Sequence, residues 1–330
     1  VPSLVTVPSG QTSATFSVTT VPVTIQKVAT IKATYKSAVQ TQSLTVMPPG
    51  LVSVGFIPIS VVGGTPSVGT VTISGPAPTG GLLVKLKCDS TQATVPASVS
   101  VPAGKMTATF TAKTTPVKAT VTATVTATQG ITVEEATLTI TPSTLSLVSV
   151  YPIIVIGPES SVGTAYLSGP APSGGYVVSL SSNQESVTVP AKVTIPSGSD
   201  HATFAVKTET VAVQTIAAVS ASLNGITQTT NLTVNPPSIT GLSLNPSTVV
   251  GGKNSTGTVV LGGPAPSGGI TVTLTSNSSF AVVAASVTIP GGKTSATFVV
   301  ETSAVSAKTS VTITANLAPN SKTAALTITQ

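Results

Sequence analysis

The sequence predicts an all-β chain, a tandem array of small antiparallel sandwiches. Three observations carry that prediction: a strand-forming composition, an internal repeat of constant length, and period-two alternation of apolar and hydroxyl side chains. Of 330 residues only 7% are charged, against about 25% in an ordinary soluble domain. Hydrophobic residues make up 40%, but only 3% of the chain is aromatic. A chain rich in Val and Thr, with 28 Gly and 26 Pro, reads as strands joined by many turns. Its apolar fraction is too high for disorder.

The repeat sets the organisation. Gly75-Pro76-Ala77-Pro78 recurs as Gly169-Pro170-Ala171-Pro172 and Gly263-Pro264-Ala265-Pro266, at intervals of 94 residues. Ala-Thr-Phe ends at Phe16, Phe110, Phe204 and Phe298, and Pro8, Pro102, Pro196 and Pro290 each stand two residues before a glycine. A 94-residue period is far longer than the roughly 20–50 residues of solenoid repeats, so each copy is a domain.

The last copy shows the strands. Ile239 to Leu244 opens it; then come Val259 and Leu261, Ile270, Val272 and Leu274, Val287 and Ile289, Ala296, Phe298 and Val300, Val311 and Ile313, and Leu326 and Ile328. Apolar positions alternating with Thr and Ser mark half-buried antiparallel strands. Seven such strands in one repeat predict an immunoglobulin-like sandwich without the Cys and Trp of antibody domains. The recurring Phe is expected to fill the gap between the sheets. The Gly-Pro-Ala-Pro-x-Gly-Gly segment reads as a turn, with neither the Lys nor the helix of a phosphate loop.

Prolines at Pro48-Pro49, Pro142 and Pro236-Pro237 mark short, stiff junctions. They divide the chain into 1–48, the C-terminal half of a repeat, and complete repeats at 49–142, 143–236 and 237–330. The leading half is expected to carry the last four or so strands and to expose a sheet edge and half a core. The simpler reading is a window cut from a longer array; the alternative is a rearranged assembly that uses one exchanged strand.

Chemistry-bearing residues are few. His201 stands where other copies have Ser13, Thr107 and Ser295 and reads as a surface strand site, and Cys88 aligns with Ser182 and Ser276 and reads as an ordinary substitution. An inert thiol is expected of Cys88; exposed, it would cross-link chains. One Cys forms no internal disulfide. Glu134-Glu135 aligns with Gln228-Thr229 and Lys322-Thr323, which leaves the junctions without shared calcium ligands. One His and one Cys do not make a zinc site. Lys105 and Lys293 align with Gln11 and Ser199, and no acidic residue recurs between copies, so an isopeptide cross-link in every copy is not expected. No catalytic, cofactor or metal residues are therefore assigned, and no cofactor is expected.

A net charge of +6 comes from 14 scattered Lys with no Arg, unlike the clustered cations and stacking aromatics of a nucleic-acid surface. No apolar run approaches the ~20 residues of a membrane span. Sequons at Asn231, Asn254 and Asn277 offer glycan attachment points.

The last repeat carries Gly251-Gly252, Ser255-Thr256-Gly257-Thr258-Val259, Gly263 to Gly269, Val287-Thr288-Ile289-Pro290 and Thr294-Ser295-Ala296-Thr297-Phe298. This set resembles the tandem Ig-like repeats of large bacterial secreted and cell-surface proteins, over the whole chain. In the second complete repeat Gly157-Pro158-Glu159 replaces the Gly-Gly turn. The resemblance implies a secreted or surface-bound structural protein: a filament, stalk or surface layer. Low charge adds self-association, as a homopolymer or by lateral packing. The alternative is an adhesin shaft or carbohydrate-binding module, whose candidate aromatics are Tyr35, Tyr151, Tyr166, Tyr176, Phe56 and Phe280. An enzyme is not expected.

Overall fold

The computed structural model describes residues 1–330 and contains strands and no helix. Its first two strands, β1 (Lys27–Tyr35) and β2 (Ala38–Val46), form a hairpin by themselves. Nine strands then build the first sandwich: β3 (Leu51–Ile57), β4 (Ser60–Val62), β5 (Ser67–Ile73), β6 (Leu82–Cys88), β7 (Ala93–Thr94), β8 (Ser98–Val101), β9 (Thr107–Thr114), β10 (Val121–Gln129) and β11 (Thr132–Thr141). The same nine recur as β12–β20 over Leu145–Asn235 and as β21–β29 over Ile239–Thr329.

Each sandwich pairs a four-stranded sheet with a five-stranded one. In the first the orders are β3-β5-β9-β7 and β4-β11-β10-β6-β8, and both orders are repeated in the other two. The opening segment is split, β3 lying in one sheet while β4 joins the other as the parallel neighbour of β11. All other pairings are antiparallel. This is the immunoglobulin-like arrangement, and the chain is a tandem array of such sandwiches.

Alternation places the core. On β10, Ala123, Val125 and Ala127 point inward and are fully buried, as are Leu138 and Ile140 on β11. The third sandwich repeats this with Val311, Ile313, Ala315, Leu326 and Ile328. The intervening Thr and Ser positions face out. Nine strands replace the seven expected because two per copy are very short. In the third sandwich these are β22 (Thr248–Val250) and β25 (Ala281–Val283), too brief for alternation to register.

Phe110, Phe204 and Phe298 fill the core as expected, each only 6–7% exposed. Each ring covers a glycine directly across the pair of strands: Gly69, Gly163 and Gly257. A Cβ on any of the three would stand 2.1–2.2 Å from a ring carbon.

Residues 1–26 carry no strand, so the leading segment has two strands and not the four expected. The reason is the difference between local and remote pairing. In a complete sandwich β8 pairs with β6 and β9 with β5, and residues 1–48 contain no counterpart of β5 or β6. A β10–β11 hairpin pairs with itself, and its counterpart β1–β2 does so here. Ile31, Leu44 and Val46 stay half-buried, whereas their equivalents Val125, Leu138 and Ile140 are fully buried.

By compactness the chain divides into two units: residues 1–143 with 169–174, and residues 144–168 with 175–330.

Candidate functional site

The residues marked by the sequence scatter, and no three His, Cys, Asp or Glu side chains converge. Cys88 is half-buried at the margin of the first core, opposite Val125. Glu135 accepts a cross-strand hydrogen bond from the Thr126 hydroxyl at 3.2 Å. All three sequon asparagines are exposed. Asn277 has a structural task as well, since its Oδ1 accepts the Thr312 backbone N–H at 2.8 Å. Asn183 and Asp89 do the same in the other sandwiches, at 2.7 Å each.

The aromatic candidates separate. Phe56 belongs to the core, edge-to-face with Phe110 at 5.8 Å between centroids. Tyr35 and Tyr151 are exposed. The Tyr176 hydroxyl is buried without a hydrogen-bond partner, and burial raises its pKa. Tyr166 pairs across strands with Leu147 and His201, which puts the three in one row on the outer face of the second sandwich. The His201 ring stacks on Tyr166 at 5.7 Å and its Nδ1 lies 2.7 Å from Asp200 Oδ1. The hydrogen bond from His201, then one from the backbone, holds the Asp200 carboxyl below its usual range.

The arrangement that recurs is built by the Gly-Pro-Ala-Pro loop. Its alanine is buried in every copy. In the first sandwich Ala77 N–H donates to Lys105 C=O at 2.8 Å and Ala77 C=O accepts from Gly104 N–H at 2.9 Å. Ala265 makes the same pair with Lys293 and Gly292 in the third. The two sequence landmarks, Gly-Pro-Ala-Pro and Pro-x-Gly, are thus two sides of one structure. Lys105 and Lys293 serve it through their carbonyls.

The outer side of this loop meets a second recurring element, the turn that follows β4 and its equivalents. In the first unit, a Cβ on Gly169 would stand 2.8 Å from Val62 Cγ1, and one on Gly64 would stand 2.4 Å from Pro170 Cγ. In the second unit, Gly263 faces Ile156 and the Gly157 carbonyl at 3.7 and 3.6 Å by the same measure. The turn is built the same way each time. It closes with Thr65, Glu159 or Lys253 N–H donating to Val62, Ile156 or Val250 C=O at 2.9–3.0 Å. Gly157-Pro158-Glu159 therefore keeps the turn that the Gly-Gly copies make.

Its first glycine is required by close approach. A Cβ at Gly63, Gly157 or Gly251 would press on the backbone of Thr115, Glu209 or Ser303, at 2.6, 2.1 and 2.8 Å. A threonine on the opposite sheet fixes the rest: Thr302 Oγ1 donates to Lys253 C=O at 2.6 Å and accepts from Gly252 N–H at 3.1 Å. Thr114 does this for the first turn, at 2.6 and 3.0 Å.

Beside this contact in the second unit lies a cleft of about 760 Å³, lined among others by Ile156, Gln214, Asn235, Pro237, Ile270 and Pro319. Gln214 Nε2 donates to Asn235 Oδ1 at 2.8 Å within it. Its lining is amides, hydroxyls and apolar groups, without an ionisable side chain. Sequence reasoning read the loop as a turn and missed its second role. The signal was present in the Ala between two prolines, invariant in all three copies.

No family model and no curated protein matches the sequence. Among solved structures, the chain is similar to invasin, a bacterial integrin-binding protein, at 16% identity and a TM-score of 0.39, over 85% of this chain and 60% of that one. Titin domains A168–A170 align at 10% identity and a TM-score of 0.37, over 85% and 97%. Domains 1–6 of the surface layer protein SbsC align at 16% and 0.25, over 85% and 54%.

Proposed function

We propose that the chain is a non-catalytic structural protein of the cell surface or extracellular space, an array of Ig-like sandwiches forming a stalk, filament or surface layer. Its parts are a C-terminal half-repeat at 1–48 and repeats at 49–142, 143–236 and 237–330. The single observation that carries this reading is the Gly-Pro-Ala-Pro loop seated on the turn after the second strand of the preceding sandwich, its first glycine meeting Val62 in one case and the equivalent Ile156 in the other. A contact that recurs at constant spacing resists bending between neighbours, which a load-bearing array needs. Only 7% charged residues, against the roughly 25–35% suited to an isolated soluble surface, favours a chain that associates with copies of itself.

The location is tested by antibody against residues 144–330 on intact cells of the producing organism. Labelling without permeabilisation is expected; signal only after lysis would sink the reading. Stiffness is tested by small-angle scattering of the wild type and of a Pro170→Ser, Pro264→Ser double variant. The variant should sample a broader range of dimensions, and identical curves would remove the loop from the argument.

The row Leu147, Tyr166 and His201 favours a second reading, an adhesin shaft or carbohydrate-binding module. Its rings offer a stacking surface on the second sandwich alone, where the other copies have Thr72 and Thr107 or Val260 and Ser295. A glycan-array screen with Tyr166→Thr as control tests it: specific binding lost in the variant supports it.

A further inference from the structure

Three amide side chains line the cleft of the second unit, a set that neither of the other sandwich repeats carries. Gln214 precedes β19 (Thr215–Leu223), Asn235 ends β20 (Ile226–Asn235) and Asn320 opens β29 (Asn320–Thr329). Thr215 pairs with Val234, which sets Gln214 opposite Asn235 at the next position of the ladder. The equivalent residues elsewhere are Thr120 and Lys308 for Gln214, Thr141 and Thr329 for Asn235, and Thr132 and Ile226 for Asn320. The Gln214–Asn235 hydrogen bond uses one amide hydrogen and one lone pair. Gln214 Oε1 is left as an acceptor, and Asn235 Nδ2 as a donor.

The rest of the lining narrows what these groups can hold. A charged molecule would lose hydration there and meet no opposite charge in return, so the cleft suits a neutral one. A peptide added by its main chain needs a row of backbone N–H groups, and Pro236, Pro237 and Pro319 have none to give. Recognition therefore falls to side chains: the three amides and the hydroxyls of Ser238 and Thr271. The apolar wall is aliphatic, from Ile156, Val213 and Ile270, and contains no aromatic ring on which a sugar face could stack. It accepts a small apolar group such as a methyl. A volume of about 760 Å³ lies within the roughly 300–1,000 Å³ of small-molecule sites, which favour domain junctions.

We propose that this cleft, between the second and third sandwiches, binds a neutral glycan through an N-acetylated sugar. The acetamido N–H donates to Gln214 Oε1, and its C=O accepts from Asn235 Nδ2. The acetyl methyl lies against the aliphatic wall, and the ring hydroxyls are left to Ser238, Thr271 and Asn320. The site is distinct from the Tyr166 row, and it adds a ligand to the array without altering the structural reading.

The test is titration of the full chain with N,N′-diacetylchitobiose, followed by calorimetry and by the side-chain amide signals in nitrogen-15 spectra. Cellobiose, the same disaccharide with hydroxyls in place of the acetamido groups, and a neutral blocked alanine dipeptide are run beside it. Gln214→Thr and Asn235→Thr carry the residue that another copy has at each position, and unchanged unfolding midpoints confirm that they fold. Diacetylchitobiose should shift the Gln214 and Asn235 amide signals saturably. Cellobiose on the wild type, and diacetylchitobiose on either variant, should bind about tenfold more weakly, as loss of one hydrogen bond gives. Equal affinity for cellobiose or for the peptide would overturn the acetamido assignment, and full affinity in both variants would overturn the site. Binding that survives in those variants but disappears in Tyr166→Thr would move the sugar to the outer face, so that this inference falls and the second reading stands. No saturable shift with diacetylchitobiose sinks the inference and leaves the structural reading to the labelling and scattering experiments.

Discussion

Gly257 lies directly across the strand pair from Phe298, and the aromatic ring occupies the space that a side chain at Gly257 would fill. The pair is a single packing unit, a ring laid over bare backbone, and Gly163–Phe204 and Gly69–Phe110 repeat it. Phe16, in the leading segment, has no such glycine and is 46% exposed.

Truncating Phe298→Ala should cost about 3–5 kcal/mol, the range for emptying a buried aromatic site. Gly257→Ala should cost about 1–3 kcal/mol by overpacking, because the ring cannot retreat from a close-packed core. Phe16→Ala should change stability by less than about 0.5 kcal/mol, as surface substitutions do. Hydrogen exchange at β28 (Thr309–Leu317) reads the first two in the full chain. An equal loss from Phe16→Ala would contradict the pairing argument.

Much of this fold was legible. The 94-residue period pointed to tandem sandwiches, and alternation found Val259, Val272, Ile313 and Ile328, all fully buried. What escaped was whatever one residue type does in two ways. Glycine in a strand looks the same whether it bends the chain or seats a ring, so Gly257 was silent. The hydroxyls of Ser67, Ser161 and Ser255 were hidden among many exposed Ser and Thr, although all three are buried. The Gly-Pro-Ala-Pro loop satisfied turn chemistry so fully that nothing called for a contact surface. Residues 1–26 went wrong for another reason: their apolar alternation is intact, but a strand forms only where a partner strand stands beside it.

Ser255 is 1% exposed and donates its hydroxyl to Pro246 C=O at 2.7 Å, as Ser161 does to Pro152 and Ser67 to Pro58. This bond ties the start of β23 (Ser255–Leu261) to the corner where β21 (Ile239–Asn245) hands over to β22. Ser255→Ala leaves the carbonyl without its donor, at about 1–3 kcal/mol for a buried group. The loss should appear as faster exchange of the β21 and β23 amides. Unchanged exchange would mean that water replaces the hydroxyl at no cost.

The Asp200–His201 pair makes a signed prediction about pH. The His201 hydrogen bond holds the Asp200 carboxyl below its ordinary value of 3.8. A carboxyl depressed in the folded state adds stability above its unfolded pKa, and that stability is lost as pH falls through the folded one. The window is thus acidic, below the ordinary carboxyl value. Both side chains are more than half exposed, so the effect on stability is small. Carbon-detected titration should place Asp200 below free aspartate, and His201→Ser should move it upward. A midpoint indifferent to the substitution would remove the histidine from the account.

Tyr176 is the one place where this chain carries a buried side-chain polar atom with nothing to bind. Its equivalents are Leu82 and Ile270, both apolar, so the site was built for a side chain without a hydroxyl. Burial pushes the phenol pKa above its ordinary 10.0. With that sign, the unfolded chain ionises first as pH rises past 10, and the folded state loses stability there. Tyr176→Phe removes the unpaired group while keeping the ring. It should leave stability at neutral pH unchanged or raise it by up to about 1 kcal/mol, and flatten the alkaline decline. Urea midpoints at neutral pH and at about pH 10.5, just above the ordinary tyrosine range, measure both. A variant destabilised at neutral pH by more than about 1 kcal/mol, the net value of a typical hydrogen bond, would show that the hydroxyl has a working partner.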